Sequence, residues 1–222
     1  MLNLRKFKIR TQLIILLAAV VTLFLISTLV SWQALNRAKA EFTSFINQEQ
    51  RVLLNYTELY ANGLQMGQAL RNIILDPANP KAYENFDKAS ATMDKMLTET
   101  RGLVGEGNAQ APALAKVAEA RARQQALQTE VRDLVKQADI EAAKERLNKG
   151  ETPVWREIRQ ALLDLIKEQK AVIDAREAAV QQNTENAQTI ALVMTVIAVL
   201  VGLGIALRSE ERRVGKECRS RW

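Results

Sequence analysis

Two runs without a single charge constrain this chain more than anything else in it. Leu13–Trp32 reads LIILLAAVVTLFLISTLVSW and Thr189–Leu207 reads TIALVMTVIAVLVGLGIAL. As helices rising about 1.5 Å per residue, both are long enough to cross the roughly 30 Å hydrocarbon layer of a bilayer. A cleaved signal sequence is the rival reading for the first, because Arg5, Lys6, Lys8 and Arg10 form a basic leader. Signal h-regions run about 7–15 residues and end at small residues. This run is longer and ends in SWQAL, which favours an uncleaved anchor.

Charge sets the orientation. Lys and Arg flanking a span are retained in the cytoplasm, so residues 1–11 are expected inside and 12–33 as the first span, with Trp32 at the outer interface. The chain returns through a second span at 189–207, which puts 34–188 outside, in the periplasm of a cell with two membranes. LNLRKFKIR is explained by this orientation role together with attraction to anionic lipid, so no nucleic-acid partner is expected.

The outer segment reads as helix throughout. Ala, Leu, Gln, Glu, Lys and Arg dominate, and the 222 residues include only nine Gly and four Pro. With no His and one Cys, thiolate and imidazole sites are excluded, so no catalytic residue, metal or cofactor is expected. Three clusters of turn residues divide the segment. In LDPANPKAY, Asp76-Pro77 stops one helix and Asn79-Pro80 caps the next. RGLVGEGNAQAP and NKGETPVW supply two more, the last with Gly150 as stop and Thr152-Pro153 as start. Four helices follow, at about 34–75, 80–103, 111–148 and 153–188.

Apolar stripes say how the helices pack. In the first, Leu35, Phe42, Tyr56, Gly63 and Leu70 form one seam, interrupted by Glu49, and Ala38, Phe45, Val52, Leu59, Met66 and Ile73 form its partner. Val117, Leu127, Val131, Leu134 and Ala138 mark the third helix less cleanly; Ile158, Leu162, Leu165, Val172, Ile173 and Val180 mark the fourth. Short connections make neighbours antiparallel. The expected fold is all-α: an elongated antiparallel up-down-up-down four-helix bundle continuous with two transmembrane helices.

A basic N-terminus, a span, a periplasmic four-helix bundle and a second span, with the hairpin YANGLQMGQALRNIILDPANPKAYENF at Tyr60–Phe86, resembles the N-terminal part of bacterial methyl-accepting chemotaxis proteins. The resemblance covers residues 1–207. It implies a homodimer in the bacterial inner membrane that binds a small molecule near the membrane-distal end of the bundle. Binding then displaces the fourth helix and its span, and so controls a chemotaxis kinase and its adaptor through a cytoplasmic module that this sequence lacks. Sensor histidine kinases and diguanylate cyclases use the same input module, and a structural membrane-anchored coiled coil is the bland alternative.

That topology brings the end of the first helix to the start of the fourth. Gln68, Arg71 and Asn72 on one side, with Thr152, Trp155 and Arg159 on the other, suit a small carboxylate: guanidinium groups supply a bidentate fork and the indole a stacking face. Pairing of these arginines with Asp76, Glu157 or Asp164 as ordinary surface charges is the alternative. Gly63 and Gly67 flatten one helix face at a cost of about 1 kcal/mol each relative to Ala. A dimer contact, room for a ligand, or core packing against a bulky neighbour each explains the pair. Asn55-Tyr56-Thr57 matches a glycosylation sequon by pattern alone.

The last fifteen residues, RSEERRVGKECRSRW, follow the second apolar run with no continuing pattern, and the sequence is similar to a translated short-read sequencing adapter. The expectation is that residues 208–222 are non-native. Without their six basic and three acidic residues the formal charge falls from +6 to +3.

Overall fold

The computed structural model describes residues 9–219, and no strand occurs among them. The chain divides into a bundle, Thr43–Arg176, and a second unit drawn from its two outer ends. Helix α1 spans Ile9–Ser44 and is followed by a π-turn, Phe45–Gln50. The bundle helices are α2, Arg51–Leu75; α3, Pro80–Val104; α4, Ala111–Lys136; and a fourth that starts as α5, Ile140–Arg146. This fourth helix opens into a second π-turn at Leu147–Glu151 and continues as α6, Thr152–Arg219. The all-α four-helix expectation holds.

Each bundle helix buries a seam of residues three or four apart. On α2 it is Val52, Tyr56, Leu59, Gly63, Met66, Leu70 and Ile73; on α3 it includes Ala82, Phe86, Ala89, Met93, Leu97 and Val104. In α6, Trp155, Ile158, Leu162 and Leu165 complete the core. Full burial of side chains of this size contributes about 1.5–3 kcal/mol each, so the seams hold the bundle together. Leu35 and Phe42, which the heptad also marks, belong to the other unit and are exposed. Val172 and Val180 are exposed too, while Ile173 is buried.

The first two breaks fall where the turn residues put them. Asp76 ends α2, and the Asn79 side chain accepts the Lys81 N–H at 3.0 Å ahead of Pro80. Gly105, at φ 71°, stops α3, and Pro112 lies in the first turn of α4.

The third break lies elsewhere. α4 stops at Lys136, and the turn is Gln137-Ala138-Asp139. Ala138 adopts φ 63° there, Asp139 N–H donates to Leu134 O at 3.0 Å, and Ala138 N–H to Val135 O at 3.0 Å. This is a Schellman closure with Ala in the place usually held by Gly. Asp139 then caps α5 by accepting the Ala142 N–H at 3.1 Å. The expected break at Gly150-Glu151-Thr152-Pro153 is helical instead. Pro153 has no N–H and its ring crowds the carbonyl four residues back, and the turn ahead of it opens from α to π.

In the second unit, Ile14, Leu17, Phe24 and Trp32 of α1 are exposed, as are Leu192, Leu200 and Leu203 of α6. One helical stretch among the described residues, Ile140–Gly204, contains a window long and apolar enough to cross a membrane, none of it buried. α6 continues past Leu207 to Arg219, because Glu, Arg and Lys are strong helix formers. Arg5, Lys6 and Lys8 of the basic leader, and Ser220–Trp222 of the tail, lie outside the described residues.

Candidate functional site

Two features fill the middle of the bundle. The first is a notch. Gly63 carries no side chain, and the Trp155 ring sits so close that a Cβ at position 63 would collide with its Cη2 and Cζ3 atoms. Tyr60, one turn earlier on α2, meets the same indole with ring centroids 6.5 Å apart. Gly67 is different: a Cβ there would meet only the Arg71 Nη1, at 3.6 Å.

The second feature is a polar layer across the core. Arg121 is 2% exposed, yet every N–H of its guanidinium finds an acceptor. Nε donates to Asp94 Oδ1 at 2.9 Å, Nη2 to Ser90 Oγ at 2.7 Å and Asp94 Oδ2 at 3.4 Å. Nη1 donates to Gln124 Oε1 at 3.2 Å and Gln128 Oε1 at 3.0 Å. Those two glutamines turn their amides to Glu151, whose Oε1 accepts from Gln124 Nε2 at 2.8 Å and Gln128 Nε2 at 3.1 Å. The layer thus ties α3, α4 and the π-turn of the fourth helix together. Satisfying every donor is what makes a buried charge tolerable, since an orphaned one costs several kcal/mol. On the solvent side of the same π-turn, Lys149 Nζ donates to Glu145 at 2.9 Å, and this bond holds the Glu145 carboxyl below its ordinary range.

At the end of the bundle where α2 begins, the Tyr56 hydroxyl donates to Gln110 Oε1 at 2.9 Å. Burial, with the Glu168 charge adding to it, pushes the phenol well above its ordinary value.

The sequence-derived site residues do not converge. Trp155 is buried against Gly63, and Thr152 is half-buried with its Oγ1 out of contact with solvent and without a hydrogen-bond partner. Gln68, Arg71, Asn72 and Arg159 are exposed. Because the fourth helix starts at Ile140 rather than near 153, Trp155 is level with Gly63, well short of the α2 terminus. Along antiparallel helices, Arg71 and Arg159 are then about 18 Å apart at about 1.5 Å per residue. Glu157, weighed as their partner, is held by Arg123 at 2.8 Å, and Asp164 by Gln160 at 3.0 Å. Arg71 donates to Gly67 O at 3.3 Å.

Arg121, Gln124, Gln128 and Glu151 were not expected as interior residues. The signal was present: Leu114, Val117, Arg121, Gln124, Gln128, Val131 and Val135 follow a 3-4 alternation, and all are buried. A search for apolar stripes alone picks out Leu127 and Leu134 instead, and both are only half-buried.

Open grooves occur beside the last turns of α3. One, of about 530 Å³, is lined by Thr98, Arg101, Val104, Pro112 and Leu114 among others. A second, of about 390 Å³, lies by Arg51 and Glu99. Neither contains a residue of the expected ligand site. Among the described residues, no group of three or more His, Cys, Asp or Glu could hold a metal ion.

No curated protein and no solved structure matches the chain. A family described as a four-helix-bundle sensory module for signal transduction matches it over residues 6–187. That span takes in all four bundle helices and both features of their core. The chain therefore belongs to the family of four-helix-bundle sensory modules for signal transduction, of the kind found in methyl-accepting chemotaxis proteins.

Proposed function

We propose that the chain is the sensory part of a two-pass chemoreceptor of the bacterial inner membrane. Its N-terminus is cytoplasmic, residues 34–188 are periplasmic, and 12–33 and 189–207 are the spans. The bundle binds a small molecule, a carboxylate best fitting the exposed guanidinium of Arg71 near the α2 terminus. Binding shifts α6, and the shift passes through 189–207 to a cytoplasmic module that controls a chemotaxis kinase. The observation that carries this reading is the family match over 6–187 together with α6, one helix that includes both Trp155 of the core and the apolar run Thr189–Leu207. A homodimer completes the proposal, with Leu54, Leu64 and Leu75, each exposed on α2, on the surface a second copy would cover.

A thermal-shift screen of the full chain in detergent micelles, against amino acids, organic acids and aromatic carboxylates, tests the sensing claim. A ligand of the folded state raises Tm in proportion to the logarithm of its concentration above Kd. With a hit in hand, Arg71→Ala is expected to weaken it at least tenfold. A hit unaffected by Arg71→Ala would move the site elsewhere, and no hit in any class would remove the small-molecule reading.

A further inference from the structure

Spacing along the fourth helix departs from the unbroken alternation of α2 and α4. Ala143, Leu147, Glu151 and Trp155 are buried at successive intervals of four, and only from Ile158 through Leu162 and Leu165 does the alternation resume. This is one residue more than a heptad seam needs. The surplus is held in the π-turn Leu147–Glu151, where the Thr152 N–H reaches back five residues to Leu147 O. Leave out one residue of that turn, and Leu147, Glu151, Trp155, Ile158 and Leu162 fall into an unbroken 3-4 pattern.

The polar layer grips the helix at this turn. Glu151 is 2% exposed, and its Oε1 takes the amides of both Gln124 and Gln128, which are fixed in turn by Arg121. One turn on, Trp155 occupies the Gly63 notch. Between them the buried Thr152 hydroxyl has no partner, so its hydrogen bonding is incomplete in this register. A π-turn is a weaker arrangement than α-helix, and it persists only where its surroundings hold it.

We propose that the Arg121–Gln124–Gln128–Glu151 layer is a register lock on the signalling helix. It holds the surplus residue at Leu147–Glu151. When it opens, the π-turn moves along α6, and each residue passed shifts by about 1.5 Å and about 100°. The role rests on the reading that α6 carries the signal; the lock itself can be measured without any ligand.

Backbone hydrogen exchange of the full chain in detergent micelles, without added ligand, provides the test. Glu151→Met removes the acceptor while keeping similar volume, Glu151→Gln keeps an acceptor oxygen, and deletion of Gly150 combined with Pro153→Ala removes the surplus residue. Glu151→Met is expected to speed exchange across Asn148–Trp155 about tenfold and to leave the α2–α3 hairpin unchanged. Glu151→Gln stays within about threefold of the native rate, and the deletion variant slows the same segment about tenfold. Native exchange in Glu151→Met, or acceleration spread evenly over the bundle, overturns the lock. Should Glu151→Met fail to fold, the deletion variant decides, and exchange there at or above the native rate overturns it equally. A chain that binds nothing in the screen can still show the lock, and one without the lock can still bind, so the two readings fail separately.

Discussion

Gly63→Ala and Gly67→Ala, the same substitution one turn apart on α2, are expected to change stability in opposite directions. In a helix interior, Ala is favoured over Gly by about 1 kcal/mol. At position 67 nothing opposes this, since the added methyl would make an ordinary 3.6 Å contact with the flexible end of Arg71. At 63 the methyl meets the six-membered ring of Trp155, colliding with two of its atoms and lying 3.1 Å from Cε3. The indole is rigid, 7% exposed and backed by Tyr60, so it cannot yield without losing its packing. Overpacking costs about 1–3 kcal/mol, and a collision with two ring atoms belongs at the upper end. Subtracting the helix-propensity gain leaves a net loss of about 2 kcal/mol. For a bundle of this size that lowers Tm by about 8 °C, while Gly67→Ala raises it by about 4 °C. Thermal unfolding of the full chain in detergent micelles, followed by circular dichroism and tryptophan emission, reads both. Combining Gly63→Ala with Trp155→Leu should recover about 1–2 kcal/mol as a coupling term. Stabilisation by Ala at both positions, or strict additivity with Trp155→Leu, would refute the notch.

Three further expectations concern the core and its turns. Arg121→Met leaves Asp94 without its cation and the Gln124 and Gln128 oxygens without their donor, and should cost about 3–5 kcal/mol in urea unfolding; a loss below about 1 kcal/mol would contradict the buried layer. Ala138→Gly relieves a left-handed alanine and should raise stability by about 1 kcal/mol, so a decrease would argue against the Schellman closure. For Tyr56 the folded state favours the neutral phenol. Its contribution is complete below the ordinary value of 10.0 and declines as pH rises beyond it. Tyr56→Phe should therefore flatten the fall of Tm above pH 10.0, and an unchanged alkaline slope would count against the burial argument.

Where the sequence spoke through side chains with one strong backbone preference, it was legible. Asn79-Pro80 could only cap a helix, and the α2 seam from Val52 to Ile73 is buried as its spacing requires. The third break was hidden because Ala138 takes the left-handed place where Gly would have announced the turn. Gly150 and Pro153 misled for the complementary reason: a π-turn absorbs a proline that would end an ordinary α-helix. That one displacement moved the fourth helix start by about a dozen residues and drew Thr152, Trp155 and Arg159 away from the α2 terminus. The Gly63–Gly67 anomaly was visible, but only the fold identified Trp155 as the neighbour of Gly63. The polar layer shares its spacing with the apolar seam of α4 and escaped because its α4 residues, Arg121, Gln124 and Gln128, are polar.

A ligand on the bundle is expected to move α6 against α4. Spin labels at Ala126 and Gln160, both exposed, in a Cys218→Ser background, report that movement by pulsed electron resonance in nanodiscs. Saturating amounts of a compound from the screen should shift the mean distance by about 1.5 Å, the rise of one helical residue, with a dose dependence matching the thermal shift. An unchanged distance distribution at saturation would contradict a ligand-driven movement of α6.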